Sequence, residues 1–206
     1  AMSRDHHLAP FSDYQQLSDV GPRIIVKGEG VYVWDSEGNK ILDGMAGLWC
    51  AAIGYGCHEL ADAASKQMKE LPFYNTFRGT THPRAIELSQ ELTQLMAPEG
   101  VGAVMFGSGG SDAVDSSVRF VRYYWHARGK PQKDQFISLE QGYHGSTTVG
   151  AGLTALPAFH AGFGVPYDWL HKIPSHYAYR NPAGSDPEAI IAASTDALRA
   201  KVAALG

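Results

Sequence analysis

The spacing of apolar positions changes character partway along this chain. Up to Gly56 they come in short runs broken by glycine: Ile24-Ile25-Val26, then Val31-Tyr32-Val33-Trp34, then Ile41-Leu42. Lys27-Gly28-Glu29-Gly30 separates the first two runs, and Asp35-Ser36-Glu37-Gly38-Asn39 leads into Lys40-Ile41-Leu42-Asp43. Strand, glycine turn, strand, glycine turn, strand predicts an antiparallel meander. Residues 1–20 read as irregular, anchored by Leu8, Phe11, Tyr14 and Leu17. From residue 59 a helical period takes over. It predicts helices over 59–71 and 84–96, the second with Leu88, Leu92, Leu95 and Met96 on one face. Val101–Phe106 reads as a short buried strand, and 111–128 as a helix with Val114, Val118, Val121, Arg122 and Trp125 at helical spacing. A strand over 135–139 follows. Asp186-Pro187-Glu188 then opens a last helix, with Ile190, Ile191, Leu198 and Val202 as its apolar positions.

This order predicts an α/β protein: a meander within residues 1–58, then the first part of a mostly parallel, doubly wound sheet in 59–206. Two clear strands leave such a sheet with open faces and edges, so the expectation is that these residues are the first part of a longer protein.

The most informative stretch is Phe106-Gly107-Ser108-Gly109-Gly110-Ser111-Asp112, between a predicted strand and a predicted helix. A glycine-rich turn feeding a helix start offers unpaired N–H groups and the positive end of the helix dipole, which suits a phosphate. By composition alone the same stretch reads equally well as a flexible linker, but its flanks argue against that. It is not a P-loop, because no Gly-Lys-Ser/Thr follows, and Asp112 stands where a dinucleotide fingerprint has its third glycine. The acid beside a bound phosphate is expected to point away and serve the helix start. The strand 135–139 ends at Gly142-Tyr143-His144-Gly145-Ser146, which would share an edge with the first loop if the two strands were neighbours. A tyrosine ring beside an imidazole could stack on a flat ligand, or be an incidental surface turn. Trp49, in the glycine-spaced segment 43–49, reads either as a core anchor or as a wall of an aromatic pocket, and Phe11 and Phe77 carry the same ambiguity.

Composition narrows the field. The 206 residues are 44% hydrophobic and 18% charged with a net charge of −4, which suits a globular protein and argues against a nucleic-acid partner. The longest apolar segment, Met45–Gly56, is broken by glycine and far short of the roughly 20 residues of a membrane helix. The N-terminus lacks a signal-peptide layout, and Cys50 and Cys57 make no disulfide or metal framework, so a cytoplasmic protein without a metal site is expected.

Taken together, the meander, Leu42-Asp43-Gly44-Met45-Ala46-Gly47-Leu48-Trp49, Gly54-Tyr55-Gly56, Thr80-Thr81-His82-Pro83, Gly109-Gly110-Ser111-Asp112-Ala113 and Gly142-Tyr143-His144-Gly145 resemble the class III aminotransferases. These are pyridoxal 5'-phosphate (PLP) enzymes of fold type I, and the chain is most similar to their ω-aminotransferase branch, of β-alanine:pyruvate and amine:pyruvate type. The resemblance runs from about residue 8 onward. It implies transfer of an amino group from an ω-amino acid or amine to a keto acid such as pyruvate, by a ping-pong route. It assigns Gly109, Gly110 and Ser111 to the cofactor phosphate, and Tyr143, His144 and Gly145 to the pyridine ring and its surroundings. Phe11, Trp49, Phe77 and Arg78 go to the substrate site, with Phe77 reaching across a homodimer whose active sites are shared.

Departures from the family pattern carry information. Ser108-Gly109-Gly110-Ser111 stands where the family usually has Asn-Ser-Gly-Ser, removing one hydroxyl donor while keeping the backbone ones. Arg78 replaces a second aromatic found in some relatives and suits either a carboxylate-bearing substrate or plain solvent exposure. The family's Schiff-base lysine and the acid paired with the pyridine nitrogen lie beyond residue 206. The eight lysines here are expected in turns or on element surfaces, so no catalytic residue is assigned, and these residues alone are expected not to transaminate. Related readings are an aminomutase, a decarboxylating aminotransferase and a non-catalytic phosphate-binding fragment. A hydrolase built on Ser111 and His144 lacks a nucleophile elbow.

Overall fold

The computed structural model describes residues 6–206, which form two compact units, one up to Leu88 and one from Ser89. The first begins with a helix where irregular chain was expected: α1 (Tyr14–Val20), capped by the Asp13 carboxylate, which accepts from the N–H groups of Gln15 and Gln16. An aspartate N-cap satisfies two of the orphan donors of the first turn, which lets so short a helix form. Leu8 and Phe11, expected as apolar anchors, are exposed instead. Residues 1–5 of that expected segment lie outside the described residues.

The meander follows as β1 (Ile25–Glu29), β2 (Tyr32–Asp35) and β3 (Lys40–Leu42), antiparallel in the order β1-β2-β3. Its second turn is held by Asp35, buried at 6% exposure. The Asp35 carboxylate accepts from the Glu37 and Asn39 N–H groups and from the Asn39 amide, and those bonds hold it below the usual carboxylate range. The helices α2 (His58–Glu70) and α3 (Pro83–Leu95) then appear within a residue of their expected bounds.

In the second unit, Val101–Phe106 is not a strand. No described strand runs beside it to complete a hydrogen-bonded ladder, and Val101, Met105 and Phe106 are exposed. An apolar pattern makes a strand only when a partner strand satisfies its backbone. The helix α4 (Gly110–Ala127) follows, then β4 (Phe136–Leu139), α5 (Thr148–Leu153), β5 (Leu170–Ile173) and α6 (Pro187–Leu205). β4 and β5 pair in parallel, Phe136 opposite Leu170 and Leu139 opposite Ile173, with α5 in the crossover that a parallel pair requires. Asp186 caps α6 through the N–H groups of Glu188 and Ala189, as Asp-Pro-Glu predicts.

The core of this unit is where α4, α5 and β5 meet: Val118, Leu153 and Leu170 are buried, with Val114, Val149 and Phe136 against them. Tyr167 stacks on Trp169 at 5.4 Å, and the Arg122 guanidinium lies 3.9 Å from the Trp169 ring centre while donating to the Asp134 carbonyl. Truncating Leu153 or Leu170 would cost about 2–5 kcal/mol by the usual cavity penalty.

A candidate phosphate cradle and an aromatic turn

In the second unit, two loops meet over the N-terminus of α4. The first is Gly107–Gly110. Asp112, three residues into the helix start, turns its carboxylate back so that Oδ2 accepts from the Ser108 N–H at 2.9 Å. It thus does the local duty expected of it and takes one of the loop's donors. Gly109 has no side-chain cap on it, so the N–H groups of the first turn of α4 face outward.

The second loop, after β4, reaches the first across 35 residues of sequence: the Ser146 N–H donates to Ser111 Oγ at 3.2 Å. Gly145, at φ +113°, lies so close that a Cβ there would sit 2.5 Å from Ser111 Oγ and 3.0 Å from its Cα. No strand leads into the first loop, so the condition under which the two were expected to share an edge, neighbouring strands, is not met. What joins them is helix packing of α4 on α5. Asp115 Oδ1, on α4, accepts from Thr147 Oγ1 at 2.7 Å and from the Gly150 N–H at 3.1 Å at the start of α5.

A second polar layer fixes the backbone of Tyr143–Gly145. Thr154, fully buried, accepts from the His144 N–H at 2.9 Å and donates to the Gly145 carbonyl at 3.2 Å. His160 Nε2 lies 2.8 Å from the Thr154 carbonyl, so the proton sits on that nitrogen. Tyr143 is 56% exposed and meets Phe159 edge-on at 5.6 Å, which leaves a face of its ring open. An open cavity of about 510 Å³, lined by Val121, Phe136, Leu139, Tyr143 and His144 among others, adjoins it.

Lys172 corrects the expectation that every lysine lies on a surface. It sits on β5, half-buried, and its ammonium donates to Ser138 Oγ at 2.7 Å, to the Gly152 carbonyl at 3.0 Å and to the Leu153 carbonyl. All three donors are thereby used. Burial lowers its pKa, and burial together with the nearby Lys172 charge lowers that of His144, which favours the uncharged imidazole. Asp115, Thr154, His160 and Lys172 were not legible as site residues. Each acts through a partner ten or more positions away or through a carbonyl, and neither leaves a motif.

The other candidate residues lie in the first unit. Phe11, Trp49, Phe77 and Arg78 are all exposed among the described residues, Trp49 at 84%, and Trp49 packs into no core of this unit. Phe11 (φ 52°), Trp49 (φ 68°) and Arg78 (φ 51°) are held in left-handed backbone, as is Gln141 (φ 64°), just before Gly142-Tyr143-His144. Such strain collects at functional positions. Thr80 Oγ1 donates to the Phe77 carbonyl at 2.7 Å, and the Asn75 side chain accepts from the Phe77 N–H, fixing the turn that carries Phe77 and Arg78. The Arg78 guanidinium lies 5.6 Å from the Phe77 ring centre.

Trp49 ends a run of four left-handed residues, Ala46 to Trp49, where the sequence had suggested neither helix nor strand. Three of the four are not glycine, an outlay of about 3–6 kcal/mol at the usual cost per residue. Asp43 opposes it. Its carboxylate accepts from the Gly47 N–H at 2.7 Å, the Met45 N–H at 3.2 Å and the Tyr55 hydroxyl at 2.5 Å. The Tyr55 bond is the main reason the Asp43 pKa is lowered, and it raises that of Tyr55 in return.

The profile of the family described as Aminotransferase class-III matches residues 14–205. The chain belongs to the class III aminotransferases. Among the similar class III sequences is a putrescine–pyruvate aminotransferase of Pseudomonas aeruginosa, 47% identical over all 206 residues, which span 45% of that protein. Another is the mitochondrial gamma aminobutyrate transaminase 1 of Solanum lycopersicum, 41% identical over 183 residues, 88% of this chain and 36% of the relative. Among solved structures, an omega transaminase of Pseudomonas jessenii in complex with PMP superposes with a TM-score of 0.94 at 38% identity, covering 99% of this chain and 45% of that one. The chain therefore spans somewhat under half the length of the class III relatives it matches. The fold is that of the type I aminotransferases, as the resemblance implied.

Proposed function

We propose that this chain forms the N-terminal part of a PLP-dependent ω-aminotransferase that moves an amino group from a terminal amine or ω-amino acid to a keto acid such as pyruvate. The observation that carries the reading is the meeting of the Gly109–Ser111 helix start with the Gly145–Ser146 loop. Family membership and the putrescine–pyruvate and gamma-aminobutyrate activities named for its relatives support it. On this reading residues 1–58 belong to the small domain and 59–206 to the large one, and the working unit is a homodimer.

The residues present fit the cofactor. The outward N–H groups of the first turn of α4 and the Ser111 hydroxyl supply donors for a phosphate dianion, and the helix dipole adds to them. A side chain at 145 would fill the space against Ser111, which glycine leaves clear. Tyr143 offers an exposed ring face for the pyridine, and the lowered pKa of His144 favours an uncharged imidazole next to it in the chain. When bound, PLP takes up the amino group and serves as the electron sink for breaking the bond at the amine-bearing carbon. This chain binds and orients it, while Trp49, Phe11, Phe77 and Arg78 shape the space for the amine. The lysine that moves the proton and the acid that pairs with the pyridine nitrogen are assigned to sequence beyond residue 206.

The test uses a polypeptide carrying the whole aminotransferase sequence. With a terminal diamine and pyruvate it should form alanine, and Tyr143→Ala should weaken cofactor retention by about tenfold, read by absorbance after gel filtration. Unchanged cofactor occupancy and rate in that variant would remove Tyr143 from its role. No alanine from a cofactor-loaded wild type would remove the function.

A further inference from the structure

Tyr55 stands at the centre of a set of contacts that no part of the phosphate site uses. Its backbone exchanges two hydrogen bonds with Gly30, at the turn between β1 and β2: Tyr55 N–H to the Gly30 carbonyl at 2.8 Å, and Gly30 N–H to the Tyr55 carbonyl at 3.0 Å. Its side chain lies close against β1 at Gly28, where an added Cβ would sit 2.7 Å from Tyr55 Cγ and 2.9 Å from its Cβ. Its hydroxyl reaches Asp43, and a Cβ at Gly47 would sit 2.9 Å from that hydroxyl. Asp43 is itself fixed to the sheet, its N–H donating to the Val31 carbonyl at 2.9 Å. The meander, by way of Tyr55 and Asp43, thus holds the Gly47 N–H and with it the left-handed turn that presents Leu48 and Trp49.

We infer that Asp43 and Tyr55 are positioning residues for Trp49, and that the bulk of amine this site accepts is set through the hydrogen bonds that tie the Ala46–Trp49 turn to Asp43 and Asp43 to Tyr55. The inference rests on the proposed aminotransferase function. Three features carry it. The turn is strained throughout and cannot keep its form without outside support. One carboxylate oxygen, Asp43 Oδ2, takes both the Gly47 N–H and the Tyr55 hydroxyl, so the turn and the sheet share a single fastening point. Among the described residues the Trp49 ring is exposed, and what holds it there is the turn that carries it. Small rotations of this turn would move an indole by ångströms at the far end of its side chain.

A double-mutant cycle in the whole enzyme tests this, with a short linear diamine and a bulky aromatic amine as alternative donors. Tyr55→Phe keeps the ring and removes only the hydroxyl. It should change the ratio of kcat/KM between the two donors at least fivefold, mostly through KM. In a Trp49→Ala background the same substitution should leave the ratio unchanged, because the group being positioned is gone. Asp43→Asn should act in the same direction as Tyr55→Phe. A second measurement is independent of activity: exchange of the Gly47 amide should quicken at least tenfold in Tyr55→Phe. An unchanged ratio, or an equal change with and without Trp49, would overturn the positioning role while leaving the aminotransferase reading in place. A cofactor-loaded wild type inert toward both amines would overturn the reading, and with it the specificity role. Unchanged Gly47 exchange would overturn the clamp whatever the activity.

Discussion

Gly145 shows how narrowly one position can be specified. Its φ of +113° is disfavoured for any residue with a Cβ, and the Cβ would strike Ser111 at 2.5 Å from the hydroxyl oxygen and 3.0 Å from the Cα. The hydroxyl can rotate but the Cα cannot yield without moving α4. Gly145→Ala should therefore separate the two loops and weaken retention of the cofactor by at least tenfold. The fold should lose only a few kcal/mol, as strained substitutions usually do. Cofactor titration beside a thermal melt checks it; a Gly145→Ala protein with wild-type cofactor affinity would show that the loops need not touch. At this scale the sequence was partly legible. Glycine and serine beside a helix start signal an anion site through backbone chemistry alone, so Gly109–Ser111 stood out. Trp49 could not be assigned, because exposure depends on what the left-handed turn does with it, and a run of positive φ at Ala46, Leu48 and Trp49 contradicts their local preferences.

At the scale of elements, the legible ones were those whose pattern suffices by itself. The meander is written in glycine turns, and α4 in an apolar stripe whose centre, Val118, is buried. Val101–Phe106 failed because pairing decides a strand. β5 went unread because Leu170-His171-Lys172-Ile173 places two polar side chains at its centre. Lys172 can sit there only because Ser138 on the paired strand and two carbonyls at the end of α5 take its three protons. That makes Lys172 the tie between β5, β4 and α5, and it has an electrostatic consequence. The pKa of His144 is lowered first by burial and then by the Lys172 charge, so Lys172→Met should raise it toward the ordinary histidine value of about 6.5. A histidine titrating lower in the folded than in the unfolded state makes the fold less stable as pH falls below about 6.5, because the unfolded chain binds the proton first. The variant should flatten that slope while losing about 1–3 kcal/mol at neutral pH from the carbonyls it orphans. NMR titration of the His144 ring, with urea melts at pH 5 and 7.5, checks both; an unmoved His144 titration would rule out the coupling.

At the scale of the whole chain, surface is the deciding quantity. The structure exposes 15886 Å², whereas a compact monomer of 22.3 kDa would expose about 9,400 Å² and two separate domains sharing that mass about 11,000 Å². The excess is rich in large apolar groups, among them Ile86, Leu88 and Leu95 on α3 and Phe120, Val121 and Tyr124 on α4. In a doubly wound fold such helix faces and the free edge of β4 are covered by further strands and helices, and water is a poor substitute. The proposed function assigns that cover to further sequence and to a second copy of the enzyme. These 206 residues produced by themselves should then bind a hydrophobic dye such as ANS strongly, self-associate as concentration rises, and retain no cofactor after gel filtration. A polypeptide carrying the whole aminotransferase sequence should stay dye-silent, stop at the dimer whatever its concentration, and hold its cofactor. Light scattering and dye fluorescence, run side by side on the two proteins, separate the cases. A monodisperse, dye-silent 206-residue chain would mean that the exposed faces find cover within the chain itself, and the case for a shared, larger enzyme would lose its surface argument and rest on family membership and the phosphate cradle.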